Sequence, residues 1–215
     1  MKKNLLTLTA VSSLLLSAAT LASENAEIKV IGEITTASCE VTMGNNGVFD
    51  FGKISQAQLS ESTNTLLGSS SEGSVHVKCS APTPLTFTTT DNRLGTATFR
   101  SGGRNFGLGY VNGSGKLGFY HLQLREPTVD GVASRMFTAS ESGTVGMTFN
   151  TVDLEYGKRV GWAPASGAQE MAIGKDFAFR MSAKAYLSAK SAMNGDLGED
   201  VNLDGSATME FGFGL

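Results

Sequence analysis

Apolar and polar positions alternate with a period of two in short bursts along this chain, and the first burst is EIKVIGEITTASCEV at residues 27–41. Ile28, Val30, Gly32 and Ile34 share one parity while Lys29 and Glu33 take the other, the pattern of a strand with one buried face. A lone N-terminal strand has to find a sheet, since its backbone donors and acceptors need partners once buried. We expect that sheet to belong to another molecule, the alternative being an ordinary first strand of the same chain over residues 27–34.

The later bursts predict the body. After a turn at residues 43–47, Phe49 and Phe51 share a face; residues 53–73 read as a polar loop with a short strand near Leu66 and Leu67. Val75, Val77 and Cys79 alternate with His76 and Lys78, so the first three point inward. Pro82 and Pro84 read as breakers, after which Leu85, Phe87 and Thr89 form a new apolar face. Residues 106–111 and 117–124 predict a hairpin around Asn112-Gly113-Ser114-Gly115, with Tyr120, Leu122 and Leu124 on one face and His121 on the other. Residues 126–143 read as irregular, 147–154 as a strand, and 158–167, which carry Trp162, as a long loop. Phe177, Phe179, Met181, Ala183, Ala185 and Leu187 then alternate with mainly polar neighbours, and an acidic turn follows at 194–205. Odd positions from Ala207 to Leu215 are apolar, so the chain stops inside a hydrophobic strand whose end is expected to be clamped rather than frayed. With 26 glycines, 4 prolines and little helical periodicity, this amounts to seven or eight strands at the spacing of an immunoglobulin-like sandwich.

The N-terminus adds a compartment. Met1-Lys2-Lys3, an uncharged and mostly apolar or small run over 5–21, and small residues at Thr20 and Ala22 describe a secretory signal peptide cleaved after Ala22, with Ser23 the second choice, rather than a retained anchor helix. Its removal takes Lys2 and Lys3 and no acid, moving the net charge from −3 to about −5. Such a balance points away from nucleic acid and anionic membranes, and no later stretch is apolar enough to insert in a bilayer. Cys39 and Cys79 are the only cysteines, and in an oxidising compartment an even count reads first as one disulfide. A catalytic thiol is the alternative, with no histidine nearby in sequence to activate it.

Chemistry beyond this is sparse. His76 and His121 read as surface residues without partners at metal-ligand spacing. Residues 200–205 match the first half of a calcium loop, but its twelfth position is Phe211, where a bidentate Glu is needed. No nucleophile elbow, phosphate loop or zinc motif is present, and no cofactor, metal or catalytic residue is expected. Asn112-Gly113-Ser114 is formally a glycosylation sequon, explained equally by its turn. Trp162, with Tyr156 and Arg159, is the one candidate contact for a carbohydrate.

IKVIGEITTASCEV (28–41) resembles the N-terminus of chaperone–usher pilus subunits, the type 1-like fimbrial proteins, with Gly32 and Cys39 in the expected places. FDFGKI (49–54), VHVKCS (75–80), FAFRMSAKAYL (177–187) and DGSATMEFGF (204–213) match further segments in order. CSAPTPL, TTTDNR and FGLGY also resemble a group of fimbria-cluster proteins described only as a domain of unknown function. The chain departs from a major pilin in its extra length between residues 102 and 174 and in lacking a penultimate Tyr, for which Phe213 is the nearest counterpart.

The resemblance implies an all-β, incomplete immunoglobulin-like sandwich (37–215) with an N-terminal donor-strand extension (23–36) behind the signal peptide (1–22). The missing strand leaves a groove that a periplasmic chaperone fills, until a neighbouring subunit's extension replaces it at the outer-membrane usher. It implies Ile28, Val30, Gly32 and Ile34 as donor residues, Ala207, Met209, Phe211, Phe213 and Leu215 as acceptor groove and chaperone edge, and a Cys39–Cys79 bridge. The destination would be the surface of a Gram-negative cell, in a fimbrium supporting adhesion. A second reading is a minor or tip subunit that binds a receptor or glycan through residues 102–174. A third, a hydrolase on a β-sandwich, lacks an acid–base pair.

Overall fold

Among the described residues, fourteen strands account for nearly all the regular structure. The computed structural model describes residues 29–34, 36–70, 72–99, 102–139 and 143–215; the expected leader and Ile28 lie outside them. The chain divides into two units, the first ending at Ile34 and the second spanning Thr35–Leu215. In the first unit, residues 29–34 belong to no strand, and Val30, Ile31 and Ile34 are almost fully exposed.

The second unit is all β. Its strands are β1 (Cys39–Met43), β2 (Thr65–Ser69), β3 (Gly73–Asp91), β4 (Phe106–Gly107), β5 (Tyr110–Val111), β6 (Gly115–Lys116) and β7 (Gly118–Val129). There follow β8 (Val132–Ala133), β9 (Arg135–Ala139), β10 (Val145–Phe149), β11 (Thr151–Asp153), β12 (Arg159–Ala163), β13 (Ile173–Leu187) and β14 (Ala207–Phe213). All pairings are antiparallel.

The 19-residue β3 links two layers. Its first half pairs with β1 on one side and β13 on the other, and β13 continues to β7 and β11. Its second half pairs with β14 on one side and β12 on the other, and β12 continues to β9 and β10. The result is a curled antiparallel sheet of twelve strands in the form of a β-sandwich, with β5 and β6 as a separate two-stranded sheet.

The core is built as the alternation predicts. Val75, Val77, Leu85, Phe87, Phe177, Phe179 and Leu124 are each at most 1% exposed. The predicted hairpin at Asn112-Gly113 forms between β5 and β6 through the three-residue loop 112–114, in which Asn112 and Gly113 are left-handed with φ of 47° and 79°.

Pro82 and Pro84 do not break β3. The Ser80 amide donates to the Ser38 carbonyl and the Pro84 carbonyl accepts from the Gly214 amide, so even-numbered residues of β3 aim their backbone groups toward the β1/β14 side. On that side β1 ends opposite residue 79 and β14 begins to pair at 85. Both prolines therefore sit where a ladder donor has little to bond, and the strand runs through them.

Three segments differ from their sequence reading. Residues 126–143, read as irregular, hold the end of β7, β8 and β9. Residues 158–167 hold β12, and Trp162 is fully buried rather than on a loop, because β12 is an internal strand whose inner face meets Phe87, Phe177 and Phe179. The strand read over 147–154 is two strands, β10 on one layer and β11 on the other, divided at Asn150.

Candidate functional site

β14 is an edge strand, and its parity sets what it offers. The Asn92 amide donates to Ser206 and the Gly214 amide to Pro84, so even-numbered residues of β14 carry the ladder to β3. Odd residues then turn their N–H and C=O away from β3, as alternation in an antiparallel pair requires. Among the described residues no strand pairs with that second edge. Ala207, Met209 and Phe211, which hold these outward backbone groups, also turn their side chains partly inward against the core.

Beside this edge lies a groove of about 470 Å³. Ala207, Met209 and Phe211 form one wall. Tyr120, Leu122, Met181 and Ala183, from the inner faces of β7 and β13, form the floor. Val41 and Met43 of β1, with Phe49 and Phe51 from the segment after it, form the opposite rim. A second hollow of about 320 Å³, bordered by Ile54, Leu59, Leu117 and Leu187, shares Leu203 as a common wall. Phe213 and Leu215, expected in the groove, lie beyond these linings at the exposed end of β14, 50% and 40% accessible. Thr86 Oγ1 donates to the Gly214 carbonyl at 2.7 Å and ties that end to β3.

Two ion-pair clamps hold the acidic turn that leads into β14. Arg93 grips Asp204 with Nε to Oδ2 at 2.6 Å and Nη2 to Oδ1 at 2.7 Å, and this hydrogen bonding holds the Asp204 carboxyl below its ordinary range. Lys190 Nζ reaches Glu61 at 2.7 Å and Asp196 at 2.8 Å. Gly205 packs flat on the floor, where a Cβ would lie 2.8 Å from the Tyr120 ring. Burial raises the Tyr120 phenol, keeping it neutral within the groove. The half-loop at 200–205 thus spends its Asp204 on Arg93, and among the described residues no group of three potential metal ligands comes together.

Cys39 and Cys79 sit directly opposite each other in β1 and β3 and form the disulfide. The Ser80–Ser38 bond makes 39/79 a non-hydrogen-bonded pair, the register that brings opposed side chains closest. Val30, Gly32 and Ile34 remain exposed in the first unit, and a Cβ added at Gly32 meets nothing within 4 Å.

Other expected contacts move. Trp162 has no surface with which to touch a ligand; its indole Nε1 donates to the Ala178 carbonyl at 3.3 Å. His121 is not a free surface histidine: Nε2 lies 2.7 Å from Asn105 Oδ1, and the ring packs on Phe119 and Tyr186. Burial lowers its pKa. The Asn112 amide donates to the carbonyls of Met193, Gly195 and Asp196, a structural role for the sequon residue.

Sequence reading assigned the floor residues to inward faces but not to a shared cleft, and missed the rim. Their only sequence signal is strand parity, which says that a residue points inward and not whether another strand covers it.

Residues 28–120 match a family described as a protein of unknown function, DUF1120. The match runs from the exposed extension through β1, β2 and β3 into the start of β7, and so includes the disulfide and one rim of the groove. No curated protein matches the chain.

Proposed function

We propose that this chain is a non-catalytic, exported subunit of a chaperone–usher fimbria, built into the fibre by exchange of strands between neighbours. The observation that carries the reading is the groove beside β14, whose apolar wall and outward backbone groups belong to the same residues. A strand laid along that edge satisfies the backbone groups and covers the half-buried Ala207, Met209 and Phe211 in one step. The extension has the matching chemistry: Val30 and Ile34 each gain roughly 1.5–3 kcal/mol on burial, and Gly32 suits a shallow point of the groove. Main-chain pairing adds to this. The disulfide and the expected leader fit passage through an oxidising periplasm, where a chaperone covers the groove until an usher delivers the next subunit. The bulk of the chain is then a scaffold for two complementary surfaces, and fibre-mediated adhesion is its role.

The test is periplasmic co-expression with the cognate chaperone. A soluble one-to-one complex, and aggregation or degradation of the chain without the chaperone, is the expected outcome. A stable monomer, indifferent to the chaperone and to an added peptide of residues 27–36, sinks the reading.

A further inference from the structure

Three Asn-Gly pairs occur in the chain, at 46–47, 112–113 and 194–195. All three asparagines are left-handed, with φ of 51°, 47° and 62°. In such a pair the glycine nitrogen attacks the asparagine side-chain amide with little steric shielding, since glycine has no Cβ. The structure treats the three very differently. Asn112 Nδ2 donates to three carbonyls, at 2.9 Å to Met193, 3.4 Å to Gly195 and 3.1 Å to Asp196. Asn194 Nδ2 donates to Ser114 Oγ at 3.1 Å. Asn46 is exposed, and its side chain makes no hydrogen bond among the described residues.

We infer that Asn46-Gly47 is a site of spontaneous covalent modification at the rim of the groove. The Gly47 nitrogen adds to Cγ of Asn46 and gives up its proton, ammonia leaves, and a five-membered succinimide closes. Water then opens the ring at either carbonyl and leaves aspartate or isoaspartate. One water is consumed and one ammonia released, with no oxidant or cofactor. At Asn112 and Asn194 the amide has to break its bonds before it rotates into reach of the nucleophile; at Asn46 nothing holds it.

The place gives the modification a consequence. Gly47 and Val48 line the groove, and a Cβ at Gly47 would lie 3.5 Å from the Met43 sulfur. The reaction puts a carboxylate beside this apolar rim, and the isoaspartate product also lengthens the backbone of the turn by one carbon. Aged chains therefore accept an apolar strand less well than fresh ones. This consequence rests on the fimbrial reading; the modification itself does not.

The experiment ages the purified full chain in mildly alkaline buffer, folded and in urea, and maps its peptides by mass spectrometry. In the folded chain Asn46 converts fastest, with Asn194 about fivefold slower for its one bond and Asn112 about a hundredfold slower for its three. In urea the three rates converge. Conversion of Asn112 or Asn194 as fast as Asn46 in the folded chain overturns the inference, as does an unmodified Asn46 that converts only in urea. A second arm measures binding of a peptide of residues 27–36 by fresh and aged chain and by Asn46→Gly, a substitution its left-handed backbone tolerates. Loss of binding with age that Asn46→Gly abolishes supports the consequence. Undiminished binding by modified chain overturns it, and absence of binding even by fresh chain overturns the fimbrial reading instead.

Discussion

Trp162 and His121 each owe their character to neighbours far away in sequence. The indole of Trp162 is enclosed by rings from β3 and β13, with centroids 5.9 Å away at Phe87 and 5.1 Å at Phe177. Trp162→Ala is expected to cost about 3–5 kcal/mol by urea unfolding, as truncation of a large buried ring does, a stability effect rather than a change in ligand binding. His121 is held below its ordinary 6.5 chiefly by burial. The unfolded chain therefore takes up the proton first, and stability falls as pH drops through that ordinary value toward the folded one. Asp204 acts at lower pH: Arg93 depresses its pKa, so its contribution is present above the ordinary carboxylate range and fades as pH falls through the folded value. Unfolding midpoints measured across pH should show both declines, with His121→Gln flattening the first and Asp204→Asn the second. At this scale the sequence placed Trp162 and His121 at the surface, because their surroundings depend on pairings between distant segments.

β14 shows what an element adds. Its even residues bond to β3 and its odd residues face the open edge, so proline has opposite effects at adjacent parities. Glu210→Pro removes a ladder donor, and loss of that bond with its strain is expected to destabilise the body by at least about 1 kcal/mol. Phe213→Pro removes only an outward donor, so the body should keep its unfolding midpoint more nearly while binding the 27–36 peptide more weakly. Equal effects of the two on both measurements would show that the outer edge takes no strand. The alternation that predicts β14 is plain in the sequence, as are β13, the first half of β3 and the hairpin at Asn112-Gly113. β12 was hidden because Arg159-Val160-Gly161-Trp162-Ala163 has too few apolar side chains in register to signal a strand, and Gly161 supplies none. The second layer requires that gap, since a Cβ at Gly161 would come within 2.6 Å of the Phe137 ring. The continuity of β3 through Pro82 and Pro84 was hidden for a related reason: whether a missing N–H matters depends on what lies across the ladder.

On the scale of the whole molecule, the disulfide anchors β1, an edge strand of 5 residues, to the strand that links both layers. Cys39→Ser with Cys79→Ser is expected to cost roughly 4 kcal/mol in the chain-entropy estimate for a loop of this length, read as a lowered midpoint in denaturant. In the first unit Val30, Ile31 and Ile34 are almost fully exposed. Removing residues 23–36 should leave a chain that the 27–36 peptide stabilises against heat. Sequence alone determined the strand class, the inward parities, the pairing of the only two cysteines and the apolar character of both the extension and the last strand, because these follow from side-chain chemistry at a period of two. Only the tertiary structure decided that no described strand pairs with the outer edge of β14, that Tyr120, Leu122, Met181 and Ala183 converge beside it, and that Trp162 lies in the core. Those are questions of which strands are neighbours, and parity, a property of one strand, carries no record of what lies across from it.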